Sequence, residues 1–331
     1  MGLIECCFGC FTIFGCRSRM VRFFSFFPPK PASYEIITVN DEPMIFLNKQ
    51  TDNLIDLPWL KFSVAFLDTE ENETIPMLYI KHETAYYTVI FSHGNSADIG
   101  IMRNYLIEFS TQLNVSVIVY EYTGYGQSTG KPSEKSLYAD IRAAYNHTIN
   151  NLEIPWDRII LYGHSIGSGP TCDLASEFSV GGIVLQSPIA SGLRIFSKKL
   201  KKSSKYDLFN NIDKTPFIRC PVFIIHGTLD KEVPIRHGQW LHSKLNLAYP
   251  PYWVPGAGHN NIEILHKQEF FSALRKFITD LNKFHKSENS NNYDSLKPLS
   301  PKSNRQEASK VAYWPTNSEV TEPQKDNTNI N

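Results

Sequence analysis

Ser165 stands at the centre of Gly163-His164-Ser165-Ile166-Gly167, directly after the apolar run Ile159-Ile160-Leu161-Tyr162. A buried strand running into Gly-x-Ser-x-Gly, with a helix-compatible stretch behind it, is the setting of a nucleophile elbow. The turn is so sharp that glycines must flank it, and it thrusts the serine out above the sheet. A serine hydroxyl is a poor nucleophile until a base takes its proton. His259 can be that base: it lies in Pro255-Gly256-Ala257-Gly258-His259-Asn260, a glycine-rich loop that lets an imidazole reach inward. A third group should orient the ring and stabilise its cation. Asp230 fits, at the end of Val222-Phe223-Ile224-Ile225-His226-Gly227-Thr228-Leu229-Asp230. Asp207 and Asp213 are alternatives that follow no strand, and Glu232 is a nearer rival. The chain order Ser165, Asp230, His259 is that of acyl-transferring serine enzymes built on α/β sheets.

The tetrahedral oxyanion of acyl transfer needs two fixed backbone N–H donors. The residue after the nucleophile, Ile166, offers one. The loop after the run Val89-Ile90-Phe91 reads Ser92-His93-Gly94-Asn95, where Gly94 permits a tight turn that aims the Asn95 amide at the site. His93 reads as a buttress of that loop. A second glycine-rich loop, Tyr120-Glu121-Tyr122-Thr123-Gly124-Tyr125-Gly126-Gln127-Ser128-Thr129-Gly130, lacks the lysine and spacing of a phosphate cradle. It reads as a wall of the acyl pocket or a brace for the elbow.

These residues need a frame, and the hydrophobic pattern supplies it. Phe62–Leu67 and Pro76–Ile80 flank a polar turn as a starting hairpin. Thr88–Phe91, Ser116–Tyr120, Ile159–Tyr162, Gly182–Leu185 and Val222–Ile225 are short apolar runs of the kind parallel sheets bury on both faces. Tyr252–Val254 is a shorter strand candidate. Ile101–Leu113, Leu137–Ile149 and Ile264–Leu281 space their apolar residues at helical intervals. The expectation is the α/β-hydrolase fold: a mostly parallel, doubly wound sheet with a short lid segment and its crevice at the strands' carboxyl ends. Every motif above sits at such an end.

The expected organisation is an N-terminal segment 1–30, a connecting segment 31–59, the hydrolase domain 60–285 and a tail 286–331. Lys+Arg and Asp+Glu balance at 33 each, so bulk charge points to no nucleic-acid partner. Cys6, Cys7, Cys10 and Cys16 crowd the start, whereas Cys172 and Cys220 stand alone in the domain as small core residues. A disulfide framework would spread its cysteines, so the compartment reads as reducing. The stretch Cys6–Cys16 is far shorter than the ~20 residues a membrane span needs. A secretory signal would place its positive charge first, whereas Arg17, Arg19 and Arg22 follow the apolar part. Cysteines among Phe8, Phe11, Ile13 and Phe14 suit multiple S-acylation, and the arginines suit an anionic leaflet. The adjacent pair Cys6-Cys7 and the Phe-rich spacers fit a zinc ribbon poorly, and no metal or cofactor is expected. Gly2 offers only a weak myristoylation signal, since Cys6 stands where Ser or Thr belongs. The segment should make few contacts with the domain. Lys286–Asn331, rich in Ser, Asn, Lys and Pro, reads as a disordered tail.

FSHGN, YxYxGYGxSxG, KPSEKSLYADIRAAY, the SIG elbow, LQSPIASGLR, IIHGTLD and GAGHNNIE together resemble the α/β-hydrolase-domain-containing 17 proteins, over roughly Tyr86 to Phe284. The cysteine cluster followed by Phe27-Pro28-Pro29 resembles that family's N-terminus. The resemblance implies a membrane-attached protein depalmitoylase, its own N-terminal cysteines palmitoylated, with the triad on Ser165, Asp230 and His259 and the oxyanion loop on His93-Gly94-Asn95. Its partners would be S-palmitoylated membrane proteins as substrates and an anionic membrane surface. Its place would be the cytoplasmic face of the plasma or endosomal membrane. His164 departs from the family's Gln and Glu121 from its Asp, which bears on pocket shape. Lys198, Lys199, Lys201, Lys202 and Lys205 crowd the lid segment, either as a solvated face or turned towards the same leaflet. A general lipase or carboxylesterase would use the same triad, and a non-catalytic binding protein would need the three residues apart.

Overall fold

A computed structural model describes residues 25–47, 57–196, 204 and 207–290. The cysteine cluster, the five lid lysines and the tail beyond Ser290 lie outside the described residues.

The chain opens with a hairpin of β1 (Tyr34–Val39) and β2 (Glu42–Leu47), then continues through β3 (Leu60–Asp68), β4 (Thr74–His82), β5 (Thr88–Ser92) and β6 (Ser116–Tyr120). The later strands are β7 (Ile159–His164), β8 (Gly182–Gln186), β9 (Val222–Gly227) and β10 (Tyr252–Val254). The eight strands β3 to β10 form one sheet in the order β10-β9-β8-β7-β5-β6-β4-β3. β3 and β4 are antiparallel, as are β4 and β6, while β6 to β10 all pair in parallel. The sheet is the one the apolar runs predict. In β5 to β9 nearly every residue is buried on either face, so none of these runs can tolerate solvent.

Alternation within those runs builds two cores. Ile90, Ile118, Leu161, Ile183 and Ile224 point to one face, under α2 (Glu134–Asn150) and α3 (Ser168–Glu177). Their neighbours Phe91, Val119, Tyr162, Val184 and Phe223 point to the other, under α1 (Ile99–Leu113) and the C-terminal helix. Between α3 and that helix the chain adds the short α4 (Gly192–Phe196) and α5 (Arg236–His242). The last helical pattern breaks at His266, into α6 (Ile262–Leu265) and α7 (Lys267–Ser290). The starts of α1 and α2 are capped by side chains: Asp98 accepts from the Ile101 amide at 2.9 Å, and Ser133 with Ser136 forms a reciprocal box on α2. Each satisfies N–H groups that an α-helix leaves orphaned at its start.

Two expectations about boundaries are corrected. Packing begins well before residue 60, because Phe26 and Tyr34 are buried and Ser33 donates from its amide to Asp98 at 2.8 Å. Phe26 meets Phe209 edge-on, with centroids 6.1 Å apart, so residues 25–30 do not stand off from the domain. At the other end α7 carries helix to Ser290, past the expected limit of 285. The β1–β2 hairpin in the connecting segment had a readable signal. Asn40 and Asp41 both take positive φ, 53° and 67°, the pairing a two-residue turn between right-twisted strands requires.

Candidate active site

β7 delivers Ser165 at its carboxyl end, and a single 3₁₀ turn, Ser165–Gly167, leads into α3. Ser165 itself carries the left-handed torsion of the elbow, φ 54°. The glycines serve proximity. A Cβ on Gly163 would lie 2.6 Å from Thr171 Oγ1, and one on Gly167 would lie 2.1 Å from the Ser92 carbonyl. Ser168 Oγ donates to the Ser165 carbonyl at 2.6 Å and accepts from the Ile189 amide at 3.0 Å, which ties the elbow to the loop after β8.

The loops after β9 and β10 bring the other two residues in. His259 Nδ1 lies 2.7 Å from Asp230 Oδ2, and Nε2 lies 2.8 Å from Ser165 Oγ. Because the carboxylate can only accept, Nδ1 carries the ring proton and Nε2 is left to accept from the serine. All three side chains are buried. Burial alone would raise the Asp230 carboxyl. Hydrogen bonds from His226 and His259 outweigh it and hold that carboxyl well below the usual carboxylate range. Asp230 also accepts from the Glu232 and Val233 amides at 3.0 and 2.8 Å. The rivals fall away. Glu232 is exposed and 3.9 Å from Nε2, with Asn260 as its partner. Asp207 turns to the Leu193 amide and Arg194, and Asp213 to Asn210.

Of the two oxyanion candidates, Ile166 follows the nucleophile within the elbow turn. Asn95, the other candidate, makes side-chain contacts that the sequence did not announce. Its Oδ1 accepts from Tyr125 Oη at 2.6 Å and from the Phe27 amide at 3.1 Å, and its Nδ2 donates to the Ser25 carbonyl at 2.9 Å. The start of the described chain is thus fastened to the loop after β5.

Two further histidines stand around the triad, one of them, His226, without a role read from the sequence. His226, four residues before Asp230, donates from Nε2 to the Val233 carbonyl at 2.7 Å with Asp230 Oδ2 at 3.2 Å. His164 stacks on His259 at a centroid distance of 5.6 Å and abuts Gly94. Burial, and next the charge of His259, push its pKa down to about 3. A histidine so depressed binds no proton where the unfolded chain does. The stability it gives is present above pH ~6.5 and lost as pH falls from there towards 3. His164→Gln should therefore narrow the acid loss of stability. The gap between variant and wild type in urea unfolding should grow by up to ~1.4 kcal/mol per pH unit below pH ~6.5. Parallel curves from pH 7 to 4 would contradict this.

Among the described residues no cluster of three or more His, Cys, Asp or Glu could hold a metal ion, and no helix is long and apolar enough to cross a membrane.

Sheet order, elbow and converging loops define an α/β-hydrolase. Residues 81–220 match the family model "Alpha/beta hydrolase of unknown function (DUF1057)". The chain is 41% identical over 212 residues to α/β-hydrolase domain-containing protein 17C of Xenopus tropicalis, covering 64% of this chain and 68% of that protein. Protein 17B of the same frog matches at 35% identity, over 83% of this chain and 95% of its own length. The Caenorhabditis elegans α/β-hydrolase domain-containing protein aho-3 matches at 37%, over 82% and 81%. The chain belongs to the α/β-hydrolase-domain-containing 17 family. Among solved structures, the Pyrococcus furiosus esterase Pf2001 shares the fold, with TM-score 0.57 and 20% identity over 67% of this chain and 93% of its own. Est1E of Butyrivibrio proteoclasticus, bound to ferulic acid, does so at TM-score 0.55 and 16% identity, over 66% and 99%.

Proposed function

We propose that this chain is a serine hydrolase that cleaves palmitoyl thioesters from S-acylated membrane proteins, working at the cytoplasmic face of a membrane to which its own acylated cysteines hold it. The observation that carries the hydrolase part is the unbroken relay from Ser165 Oγ to His259 Nε2 at 2.8 Å and from Nδ1 to Asp230 at 2.7 Å. Ser165 Oγ attacks the acyl carbonyl as His259 takes its proton. The tetrahedral oxyanion is met by the Ile166 and Asn95 amides, and His259 then returns the proton to the departing thiol. Water, deprotonated by the same ring, releases the fatty acid and restores the serine.

The membrane part draws on two features. The described chain starts at the active-site loop, with Ser25 and Phe27 on Asn95, so the cysteines of residues 6–16 and the arginines behind them precede a segment seated beside the nucleophile. Exposed apolar side chains also stand on segments that follow the carboxyl ends of strands: Ile101 in the first turn of α1 after β5, Leu229 after β9, and Ile264 and Leu265 on α6 after β10, with Phe27 exposed beside the β5 loop. Apolar groups in such a position favour contact with acyl chains over water.

The deciding assay offers purified protein an S-palmitoyl peptide and its O-palmitoyl analogue. Preferential release of palmitate from the thioester supports the reading. Turnover of the oxygen ester alone would make the chain a carboxylesterase, and turnover of neither would leave a binding protein.

A further inference from the structure

β5 and β6 run parallel and pair Phe91 with Val119, so the loops leaving their carboxyl ends start in step. Three tyrosines, one closing β6 and two in the loop behind it, then meet the end of β5 and its loop in chain order. Tyr120 Oη meets Ser92 Oγ at 2.7 Å, Tyr122 Oη donates to the His93 carbonyl at 2.7 Å, and Tyr125 Oη donates to Asn95 Oδ1 at 2.6 Å. All three rings are fully buried, and a buried tyrosine must find a partner for its hydroxyl. Nothing in that requirement sends all three to a single loop. The ring of His93 lies against Tyr122, centroids 4.2 Å apart, and its Nδ1–H donates to the Gly94 carbonyl at 2.9 Å. Burial pushes that histidine's pKa down to about 4, so it stays a neutral donor.

A trans peptide sets its C=O and N–H on opposite sides of one plane. Fixing the His93 and Gly94 carbonyls therefore fixes where the Gly94 and Asn95 N–H groups point. From the elbow side, Gly167 lets the Ser92 carbonyl come close. The loop is clamped between the elbow and the tyrosines.

We propose that Tyr122 and Tyr125 are positioning residues for acyl transfer: Tyr122, by fixing the His93 carbonyl one peptide before the Gly94–Asn95 amide, and Tyr125, by fixing the Asn95 side chain just after it, hold the Asn95 amide between them on the line the oxyanion will take. The proposal rests on the serine-hydrolase reading of Ser165. Donors aimed in advance stabilise developing charge without reorganising when the reaction occurs. Loosening their support should act on the transition state and leave substrate binding alone.

The test uses the full chain in detergent micelles, with a short-chain thioester as substrate and an alkyl trifluoromethyl ketone, which forms a tetrahedral adduct on serine, as probe. Removing an oxyanion donor outright typically lowers kcat by ~10²–10³-fold, so Tyr125→Phe, which only frees one, should lower it ~10-fold with KM little changed. The pair Tyr122→Phe/Tyr125→Phe should approach ~10²-fold, and ketone affinity should fall by the same factors. Tyr145→Phe is the control: its hydroxyl donates to the Ser179 carbonyl at the opposite end of the strands, and kcat should stay unchanged. Active-site titration with a fluorophosphonate corrects for any unfolded fraction. If the pair does not fold, Tyr125→Phe decides alone. Unchanged kcat, or a lower kcat with ketone affinity intact, overturns the positioning role. A wild-type chain inert to both fluorophosphonate and thioester removes the hydrolase reading beneath it, and this inference with it.

Discussion

Ser165→Ala should lower acyl-thioester turnover by roughly 10⁵–10⁶-fold, since triad members act as one unit and loss of the nucleophile alone forfeits nearly all of their joint effect. The structure fixes why no neighbour can substitute. Ser168 Oγ, the nearest hydroxyl in sequence, is buried and already bonded to the Ser165 carbonyl and the Ile189 amide. Fluorophosphonate labelling should vanish with the activity. Thermal unfolding should shift little, because one hydroxyl leaves and the fold keeps its core. Residual turnover within tenfold of wild type would show that another group attacks the acyl carbonyl.

The second large effect concerns the N-terminus. Cys6/Cys7/Cys10/Cys16→Ser should move the protein from membranes to the soluble fraction of cells, because stable anchoring takes two or more signals together and the variant keeps only the arginines. The catalytic consequence should be selective. Substrate and enzyme confined to one surface meet at a raised effective concentration, a gain that can reach ~10²–10⁴-fold without any new contact. Depalmitoylation of membrane proteins should collapse on that scale, while turnover of a soluble short-chain thioester stays nearly intact. A truncation made for the same purpose should remove residues 1–24 and stop there. A cut at 30 would also take Phe26 from against Phe209 and unclasp Asn95, mixing tether loss with damage to the site. Unchanged membrane partition of the quadruple variant, or equal loss in both assays by a folded 25–331 chain, would end the tether model.

The sequence was most legible where one physical demand rules. Strands buried on both faces admit little besides Val, Ile, Leu, Phe and Tyr, so β5 to β9 could be read from composition. The elbow could be read because a strand, a glycine-flanked serine and a helix occur in immediate succession. Asp230 was separable from Glu232 only in part, since both follow β9. In the structure Asp230 meets His259 Nδ1 and the amides of residues 232 and 233 close onto it, while Glu232 stays exposed, and such contacts leave no trace in residue type. The seat of Phe26 and Tyr34 was hidden for a related reason. Each depends on a partner far along the chain, Phe209 for Phe26 and Gln127 for Tyr34, and separation of that kind is invisible to local periodicity. The loop that carries the tyrosines at 120, 122 and 125 read either as a wall of the acyl pocket or as a brace for the elbow. Their hydroxyls, and so their aim, emerge only once β5 and β6 lie side by side.

Gly167 has an ordinary helical backbone, φ −60°, so any amino acid could adopt its torsion, yet no side chain fits there against the Ser92 carbonyl. For the history of such a protein this matters. A substitution at 167 could not be absorbed by its own turn; the end of β5 would have to retreat, drawing Asn95 and the clasp on residues 25–27 along with it. Nucleophile turn, oxyanion loop and N-terminal seat would have to change together or not at all. Single mutational steps through that region lead downhill, because each one strains two neighbours that it does not itself alter.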